Sequence, residues 1–433
     1  MKQTSRLSLI GAVLTLGAIA TQTAQAGGII LYEIASPDVG LASAGYSARA
    51  QDASTLFKNP AGMSLLEGTQ VQGGLQVLVG SIQFSPSGGT SGRLGNNDGG
   101  NAINPMPGGS FFAVGDLTDR LKVGFGSFGY FGLAENYDND WVGRYYVQNA
   151  ALLGMSLMPA ASYKVNDWLS VGGGPNIMYG YLKTDVAVNN RAPGVADGQM
   201  KLKDDAWGVG GVGGILIEPV KGTRIGVTYV SQVKLDFSDT PSFDGLGPGL
   251  SALLATPPKL DLGVKVPQSV MVGLYQELSP KWAVMCDVGW QDWSQFGQVE
   301  VEVDTARAGS PSGTVQLHYQ DTWHGAVGVQ YRYSDQWRFS GGVAFDSSAV
   351  DSEHRSVMLP MGQAWRFGLG AEWQASKKLS LGAAYMFVWS GDMSVNQGTD
   401  LDPGGLPSAR GRVAGSYDDV WLSFFTLNLV YKF

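Results

Sequence analysis

The chain has 433 residues, a length that would suffice for about two or three soluble domains. Only 15% of the residues are charged, whereas aromatic residues make up 11% and glycine occurs 62 times. The formal net charge of -8 disfavours nucleic-acid binding, which requires a basic surface. The single cysteine, Cys286, excludes an intramolecular disulfide.

Residues 1–26 have the pattern of a secretory signal peptide. Lys2 and Arg6 precede an apolar stretch over 7–20, and Ala24-Gln25-Ala26 forms a small-x-small cleavage site. The apolar stretch is too short for a spanning helix, and the mature region contains no apolar run of about 18 residues. The sequence therefore predicts export, cleavage near Ala26 and no membrane-spanning helix.

The segment 39–63, VGLASAGYSARAQDASTLFKNPAGM, is dominated by small residues and cannot build a core of its own. It therefore needs an enclosing structure. Asn59 suits a helix cap and Pro60 suits the first helical position, which predicts one short helical turn over 60–65. An ordinary turn between two loops is the alternative.

Alternation of apolar and polar residues recurs from residue 69 to the end of the chain. It predicts about fourteen strands, at 69–84, 109–117, 121–132, 150–163, 168–184, 205–217, 224–237, 267–278, 282–303, 313–333, 336–345, 363–374, 378–389 and 418–433.

The predicted connections alternate in length along the chain. Short turns are followed by long loops, at about 85–108, 133–149, 185–204, 238–266, 304–312, 346–362 and 390–417. Outer-membrane barrels have short periplasmic turns, long outer loops and usually an even strand number. The sequence thus predicts an all-β, transmembrane antiparallel barrel over 69–433. Residues 27–68 would form a small plug inside its lumen.

The strands present two faces. In 224–237, one apolar face is predicted to meet lipid and comprises Ile225, Val227, Tyr229, Val233, Leu235 and Phe237. Tryptophans follow short turns or lie near the opposite strand ends, as in two interfacial belts, at Trp168, Trp282, Trp337, Trp365, Trp389 and Trp421.

The run GLASAGYSARAQDASTLFKNPAGM resembles the N-terminal hatch of the outer-membrane long-chain fatty acid transporters, the FadL/TodX family. Similar segments follow at 226–237, 293–296 and 341–347, so the resemblance covers nearly the whole mature chain. It implies passive uptake of hydrophobic compounds, foremost long-chain fatty acids, across the outer membrane of a Gram-negative bacterium. It assigns plug and gating roles to Asp52, Asn59, Pro60 and Ala61.

The resemblance also implies a kinked third strand that opens a side gap in the barrel. Here that strand would carry Gly126, Gly129 and Gly132, and glycine accommodates bulges. A hydrophobic groove is implied between the loops near 185–204 and 238–266. The second of these loops is unusually apolar, which is typical of a contact site, and its candidate residues are Leu250, Leu253 and Leu254. Packing of this loop onto the barrel rim is the alternative.

The predicted lumen faces are rich in glycine, serine and methionine. Met178 and Met271 are candidates for an apolar ligand path, because methionine adapts to varied apolar ligands. Small residues that merely leave room for the plug are the alternative. A fatty-acid carboxylate would need a basic partner, for which the candidates are Lys183, Lys234 and Arg366.

The match to the family's basic residues is incomplete, because Tyr181 and Gln320 stand where basic residues are expected. A transporter of neutral or aromatic hydrocarbons is therefore an alternative, followed by a non-specific polar porin.

No enzyme activity, metal or cofactor is predicted. His318 and His324 are interpreted as polar lumen residues of one strand, and no serine motif or cysteine/histidine cluster indicates catalysis or a metal site. The predicted partners are hydrophobic small molecules, outer-membrane lipid and the barrel-assembly machinery, which would bind the C-terminal strand ending in Phe433. The resemblance implies a monomer.

Overall fold

The computed structural model describes residues 30–191, 194–304 and 312–433. The predicted signal peptide, residues 1–26, and the first three residues of the predicted plug lie outside this part of the chain. The described helical elements are short: α1 (Ser36–Gly40), α2 (Thr55–Lys58), α3 (Pro248–Leu253), α4 (Trp293–Phe296) and the 3-10 turns Pro60–Leu65 and Gly92–Leu94. None of the described helices is long and apolar enough to cross a membrane.

Most of the described chain is β-strand. The strands are β1 (Gln70–Ser81), β2 (Phe84–Pro86), β3 (Met106–Asp116), β4 (Leu121–Asn136), β5 (Asn149–Lys164), β6 (Leu169–Val188), β7 (Gly198–Val220), β8 (Thr223–Val230), β9 (Val233–Asp239), β10 (Ser242–Asp244), β11 (Lys259–Val266), β12 (Ser269–Glu277), β13 (Trp282–Gln291), β14 (Gln298–Asp304), β15 (Ser312–Gln316), β16 (Thr322–Arg332), β17 (Trp337–Asp346), β18 (Ala364–Gln374), β19 (Leu379–Gln397) and β20 (Val413–Lys432).

Fourteen of these strands close into one antiparallel barrel. Their order follows the chain: β1, β3 to β8, β12, β13 and β16 to β20. The first and last strands pair from Gln70↔Lys432 to Ser81↔Trp421, which removes both sheet edges. The predicted all-β barrel with an even strand number is confirmed. Both ends of the barrel meet on the side of the short turns, where the Phe433 N–H donates to the Thr69 carbonyl at 3.0 Å.

The outer face of the barrel is apolar and exposed, as a lipid-facing wall requires. Leu75 of β1 and Leu427 of β20 are 71% and 63% exposed. Trp365 of β18 pairs with Trp389 of β19, which in turn pairs with Trp421 of β20. These tryptophans form a continuous band near the outer ends of three neighbouring strands, as the belt prediction requires.

Three predicted strands are wrong in extent, because 224–237, 282–303 and 313–333 each divide between two sheets. β9, β11, β14 and β15 form a separate four-stranded sheet. Its residues Val233, Leu235 and Phe237, which were predicted to face lipid, are buried. They pack where Gly180 and Gly208 leave room on β6 and β7. A period of two continues through such a break, so alternation alone does not reveal that the chain changes sheets.

Several predicted loops also contain regular structure, among them the two between which a groove was implied. β6 extends to Val188 and β7 begins at Gly198, so the predicted loop 185–204 is mostly strand. The predicted loop 238–266 contains β10, α3 and β11. Along the extension of β7, the buried residues Met200 and Leu202 alternate with the exposed residues Lys201 and Lys203, so charged residues stand at the outward positions.

The described part of the plug, residues 30–68, fills the barrel lumen. Val39 and Leu41 are fully buried, and so is Phe57 at 1% exposure. α1 packs against β17, β18, β19 and β20. The predicted position of the plug inside the barrel is therefore confirmed.

Candidate functional site

The plug ends in the 3-10 turn Pro60–Leu65, which Asn59 holds against the wall. Asn59 Oδ1 accepts a hydrogen bond from the Ala61 N–H at 3.1 Å, as predicted for a cap. Its Nδ2 donates to the Ser47 carbonyl at 2.7 Å and to the Ile215 carbonyl of β7 at 3.0 Å. Asn59 therefore joins two parts of the plug to one barrel strand, and the predicted helical turn is confirmed.

Two wall glycines permit this close approach. A β-carbon on Gly172 of β6 would lie 2.5 Å from the Ala61 nitrogen. A β-carbon on Gly214 of β7 would lie 2.0 Å from Asn59 Oδ1. Both separations are far shorter than the optimal contact of about 3.5–4.0 Å, so any larger residue would push the plug away from the wall.

A charge cluster lies inside the plug. The Arg49 guanidinium is 3.0 Å from Asp38 and 3.1 Å from Asp52, and the Lys58 ammonium also pairs with Asp38. The side chains of all four residues are 9% exposed or less. Two cations thus balance two carboxylates, which is the condition under which buried charges are tolerated. Asp52, one of the predicted gating residues, belongs to this cluster.

Asp287 of β13 holds the plug backbone from the wall. Its carboxylate accepts hydrogen bonds from the N–H groups of Gly45, of Tyr46 at 3.1 Å and of Ser47 at 3.2 Å. Asp287 is 2% exposed. Hydrogen bonds to a buried carboxylate are among the stronger ones in proteins, so this contact fixes the middle of the plug.

A second group of charges joins the plug to β16, β17 and β18. Ser43 Oγ of the plug is 3.1 Å from His324 Nε2, and His324 Nδ1 is 2.7 Å from Asp346. Arg366 lies 2.6 Å from Asp346 and 2.8 Å from Glu33 of the plug. The Arg366 side chain is 6% exposed, and its guanidinium is therefore committed to two protein carboxylates.

The contacts that join Ser43, His324 and Asp346 have the same order as those in a serine hydrolase triad. The Ser43 hydroxyl, however, donates to the Ala42 carbonyl at 2.6 Å, and Asp346 is shared with Arg366. The three residues are also buried between plug and wall. We interpret this group as a connection between plug and wall, and His324 as the lumen-facing histidine that the sequence predicted.

A gap opens in the wall between β3 and β4. The two strands pair only from Asp116↔Lys122 to Ser110↔Phe128. Beyond Phe128, β4 continues with β5 as its only neighbour among the barrel strands. A β-bulge between Gly129 and Phe131 interrupts the register with β5. The third strand of the barrel is therefore irregular where the resemblance implied a kink.

The plug, not a barrel strand, occupies this gap. Ile30 pairs with Phe131, and the Leu31 N–H donates to the Tyr130 carbonyl at 2.9 Å. On the other side of the gap, the Ser110 hydroxyl donates to the Ile34 carbonyl at 3.0 Å. The first described residues of the plug thus connect both sides of the opening.

Two of the three predicted glycines, Gly129 and Gly132, lie along this stretch of β4, whereas Gly126 lies before it and pairs with Phe112 of β3. Gly126 faces the plug, because a β-carbon there would lie 3.1 Å from Leu56. Gly129 precedes the bulge, and a β-carbon there would meet no atom within 4 Å. Gly132 lies further along the same free edge.

The family was identified by comparison with known proteins. A model of the family described as "Outer membrane protein transport protein (OMPP1/FadL/TodX)" matches residues 17–433. The chain belongs to this family. It is an outer-membrane β-barrel protein of Gram-negative type, and the members of the family are transport proteins.

Individual relatives agree with this assignment. The chain is 25% identical over 405 residues to the "Long-chain fatty acid transport protein" of Salmonella typhi, covering 88% of this chain and 92% of the relative. Among solved structures, it resembles a Pseudomonas aeruginosa FadL homologue (TM-score 0.83, 21% identity, 94% and 100% covered). It also resembles the Ralstonia pickettii toluene transporter TbuX (TM-score 0.67, 18% identity, 92% and 98% covered). At these identities the structural likeness shows the fold alone.

The basic residues predicted as partners of a fatty-acid carboxylate each have an acidic partner. Lys183 pairs with Asp185 at 3.1 Å. Lys234 of β9 is 45% exposed and pairs with Glu300 at 2.9 Å. The hydrogen bond to Glu300 raises the pKa of Lys234. Arg366 belongs to the buried group described above, so these three cations do not converge on one site.

The predicted apolar residues lie in two separate places. Met178 and Met271 face the lumen and are buried, and the Met271 carbonyl accepts the Ser47 hydroxyl at 3.2 Å. The three candidate leucines lie in or directly after α3, and none is fully buried; they are Leu250, Leu253 and Leu254. Leu253 is exposed, whereas Leu250 and Leu254 are half-buried.

Sequence reasoning missed a cavity of about 270 Å³ among the outer loops. Its lining includes Leu317, His318, Tyr319, His354, Arg355, Met358, Leu359 and Arg410. The rings of His318 and His354 stack with centroids 4.3 Å apart. The prediction for His318 was wrong, because it follows β15 in a loop and does not share a strand with His324. Burial lowers the pKa of Arg355 and of Arg410. No local sequence pattern predicts this cavity, because its lining residues come from three loops that are distant in the sequence.

Proposed function

We propose that this protein is an outer-membrane channel for the passive uptake of hydrophobic compounds, foremost long-chain fatty acids. One observation carries the proposal: the gap between β3 and β4 is occupied by the plug segment that begins at Ile30. Movement of that segment opens a sideways route through the wall without breaking the barrel. The name of the Salmonella typhi relative supports fatty acids as the first candidate ligand.

In this mechanism the ligand first meets the outer loops. The exposed leucines of α3 offer an apolar landing surface, with Leu253 52% exposed. The cavity beside Arg355 then accepts a headgroup, while the lumen near Met178 and Met271 receives the chain. An apolar molecule loses its hydrophobic stabilisation on entering water, so sideways release beside Gly126, Gly129 and Gly132 favours the membrane over the periplasm.

A channel for neutral or aromatic hydrocarbons is the second candidate. It is favoured by the ion pairs of Lys183, Lys234 and Arg366, which leave these three cations occupied. It is also favoured by the likeness to a toluene transporter. A hydrocarbon has no headgroup to neutralise and would need only the apolar path.

The proposal includes the maturation of the chain. We propose that residues 1–26 are removed on export, that residues 27–68 form the plug, and that Phe433 ends the strand recognised by the barrel-assembly machinery. The protein then functions as a monomer surrounded by outer-membrane lipid, without a cofactor, metal, nucleic acid or catalytic step.

The first experiment measures uptake in cells that lack their own transporter for hydrophobic compounds. Labelled oleate and labelled toluene are compared with and without this protein. Oleate uptake that decreases on Arg355→Ala supports a basic headgroup partner in the outer cavity, and Lys259→Ala on the outer sheet is the control. Uptake of toluene alone supports the hydrocarbon channel. No gain for either compound, with a folded barrel in the membrane, contradicts the proposal.

Plug movement is tested by a reversible tether. The hydroxyls of Ser36 in the plug and Thr426 in β20 are 2.9 Å apart, so cysteines at both positions are close enough for a disulfide. In a Cys286→Ser background, we expect oxidation to stop uptake and reduction to restore it. Uptake that is equal in both redox states would exclude movement of this part of the plug.

A further inference from the structure

Two histidines lie together at the mouth of the outer cavity. The rings of His318 and His354 stack at 30° with their centroids 4.3 Å apart, and both residues are exposed. The His318 backbone has a φ of 56°, a left-handed conformation that residues other than glycine seldom adopt. Such strain persists only where the surrounding structure imposes it. The loops therefore hold the two rings against each other at this opening.

The lining of the cavity combines positive charge with apolar side chains. Arg355 and Arg410 are half-buried, whereas Met358 and Leu359 are buried. The Arg355 guanidinium donates to two backbone carbonyls, at 2.7 and 2.9 Å, and no carboxylate among the described residues forms a salt bridge with it. Arginine binds carboxylates and similar anions through charge-assisted hydrogen bonds. The lining therefore suits an anionic headgroup that carries a hydrocarbon chain.

The volume of the cavity limits what it can hold. A volume of about 270 Å³ corresponds to about nine water molecules, because one water occupies about 30 Å³ of the liquid. Pockets that enclose a whole drug-sized ligand have volumes of about 300–1,000 Å³. This cavity therefore suits a headgroup and the first part of a chain, and the rest of a long molecule would lie outside it.

The charge at the mouth of the cavity depends on the two imidazoles. Histidine is the side chain whose charge changes between about pH 5 and 8, whereas carboxylates, guanidinium groups and phenols titrate outside this range. The other titratable groups around the histidine pair are Asp351, which bonds His354 Nδ1 at 2.8 Å, and the lining residues Tyr319, Glu353, Arg355 and Arg410. The two carboxylates and the two guanidinium groups cancel formally. Protonation of the imidazoles therefore decides whether this opening is positive.

We propose that His318 and His354 bind the ionised headgroup of an amphiphile, such as a carboxylate or sulfonate, more tightly at mildly acidic pH than at pH 8. This inference deepens the proposed function and rests on the headgroup role that it gives to the cavity. Two imidazolium rings in a stack repel each other, and an anion beside them offsets that repulsion. Anion binding and proton binding are therefore coupled, and each strengthens the other.

The test measures the dissociation constant of octanesulfonate by calorimetry, with the purified barrel in a neutral detergent. The sulfonate stays ionised at every pH used, so a pH dependence reports the protein alone. We expect the dissociation constant of the wild type to decrease about tenfold from about pH 8 to about pH 5.5, which corresponds to about 1.4 kcal/mol. The double variant His318→Gln/His354→Gln should retain the weaker binding of pH 8 at both pH values.

Two controls separate the histidines from the rest of the cavity. Arg355→Gln should weaken sulfonate binding at both pH values and retain the ratio between them, because both imidazoles remain. Octanol has the same chain without a charge and should bind the wild type equally at both pH values.

Equal sulfonate affinity of the wild type at the two pH values would overturn the proposal, and so would an unchanged pH dependence in the double variant. Absence of sulfonate binding at both pH values would overturn it as well. Uptake does not enter this measurement, so the oleate and toluene experiment tests the proposed transport separately.

Discussion

The barrel wall and the plug are held together by different kinds of contact. The wall consists of continuous ladders, such as the pairing of β6 with β7 from Leu169↔Ile217 to Val188↔Gly198. The plug consists of short turns whose positions depend on individual side chains, including Asn59, Asp287 and Arg366. A ladder opens cooperatively, whereas side-chain contacts can be lost one at a time. Contacts of the second kind allow a plug to move inside a wall that stays closed.

The largest expected effect follows from removal of the cation between plug and wall. Arg366→Ala leaves the carboxylates of Glu33 and Asp346 buried and uncompensated, which we expect to cost about 3–5 kcal/mol. Hydrogen exchange of the segment after Ile30 should accelerate strongly while barrel amides stay protected. Arg338→Ala, which removes an ion pair with partly exposed side chains, should change exchange little. Unchanged exchange in Arg366→Ala would contradict the assigned connection.

The next effect follows from crowding at the glycine contacts. Gly172→Ala forces a methyl group against the Pro60–Ala61 backbone, and overpacking of this kind costs about 1–3 kcal/mol. We expect the plug to shift and the ion conductance of single channels in planar bilayers to rise. Gly213→Ala is the control, because a β-carbon there meets no atom within 4 Å. If both variants conduct like the wild type, the plug does not depend on this contact.

A smaller effect should separate the capping role of Asn59 from its contact with the wall. Asn59→Ala removes the cap of Pro60–Leu65 and the hydrogen bonds to the Ser47 and Ile215 carbonyls. We expect this to destabilise the plug by about 1–2 kcal/mol. Asn59→Ser retains a capping oxygen and should lose less. The measurement is the hydrogen exchange of residues 61–65. Equal exchange in the two variants would indicate that capping contributes nothing.

The smallest expected effect is a loss of stability in the outer loops at alkaline pH. Burial raises the pKa of Tyr145 to about 12, and its hydroxyl donates to Asp197 at 2.6 Å. The phenol has a pKa of about 10 in the unfolded chain. The raised pKa of the folded state therefore stabilises the fold fully below pH 10, and this stabilisation is lost as the pH rises towards 12. The difference between the ultraviolet titrations of the wild type and Tyr145→Phe should show one phenol that ionises near pH 12. A titration curve identical to that of Tyr145→Phe would exclude the raised pKa.

The local chemistry of the sequence was sufficient to predict several structural features. The Asn59-Pro60 pair predicted the capped turn, because capping depends only on neighbouring residues. Alternation predicted the strands and the outward faces, because the membrane imposes a period of two on every spanning strand. The small residues of 39–63 predicted an enclosed plug, and the family resemblance added the irregular third strand.

Other features required the tertiary structure. The strand breaks after β8 and after β13 were missed, because the second sheet preserves the same alternation. The partners of Arg366 lie far away in sequence, in the plug and on β17. The outer cavity is built from three loops, and His318 enters it only through the course of its own loop.

The sequence by itself determined an exported, all-β outer-membrane barrel with an internal plug, since periodicity, capping and composition are properties of neighbouring residues. Only the tertiary structure decided which charges balance one another and which wall opening the plug fills. These features depend on distances between residues that are far apart in the chain, and barrel closure alone fixes those distances.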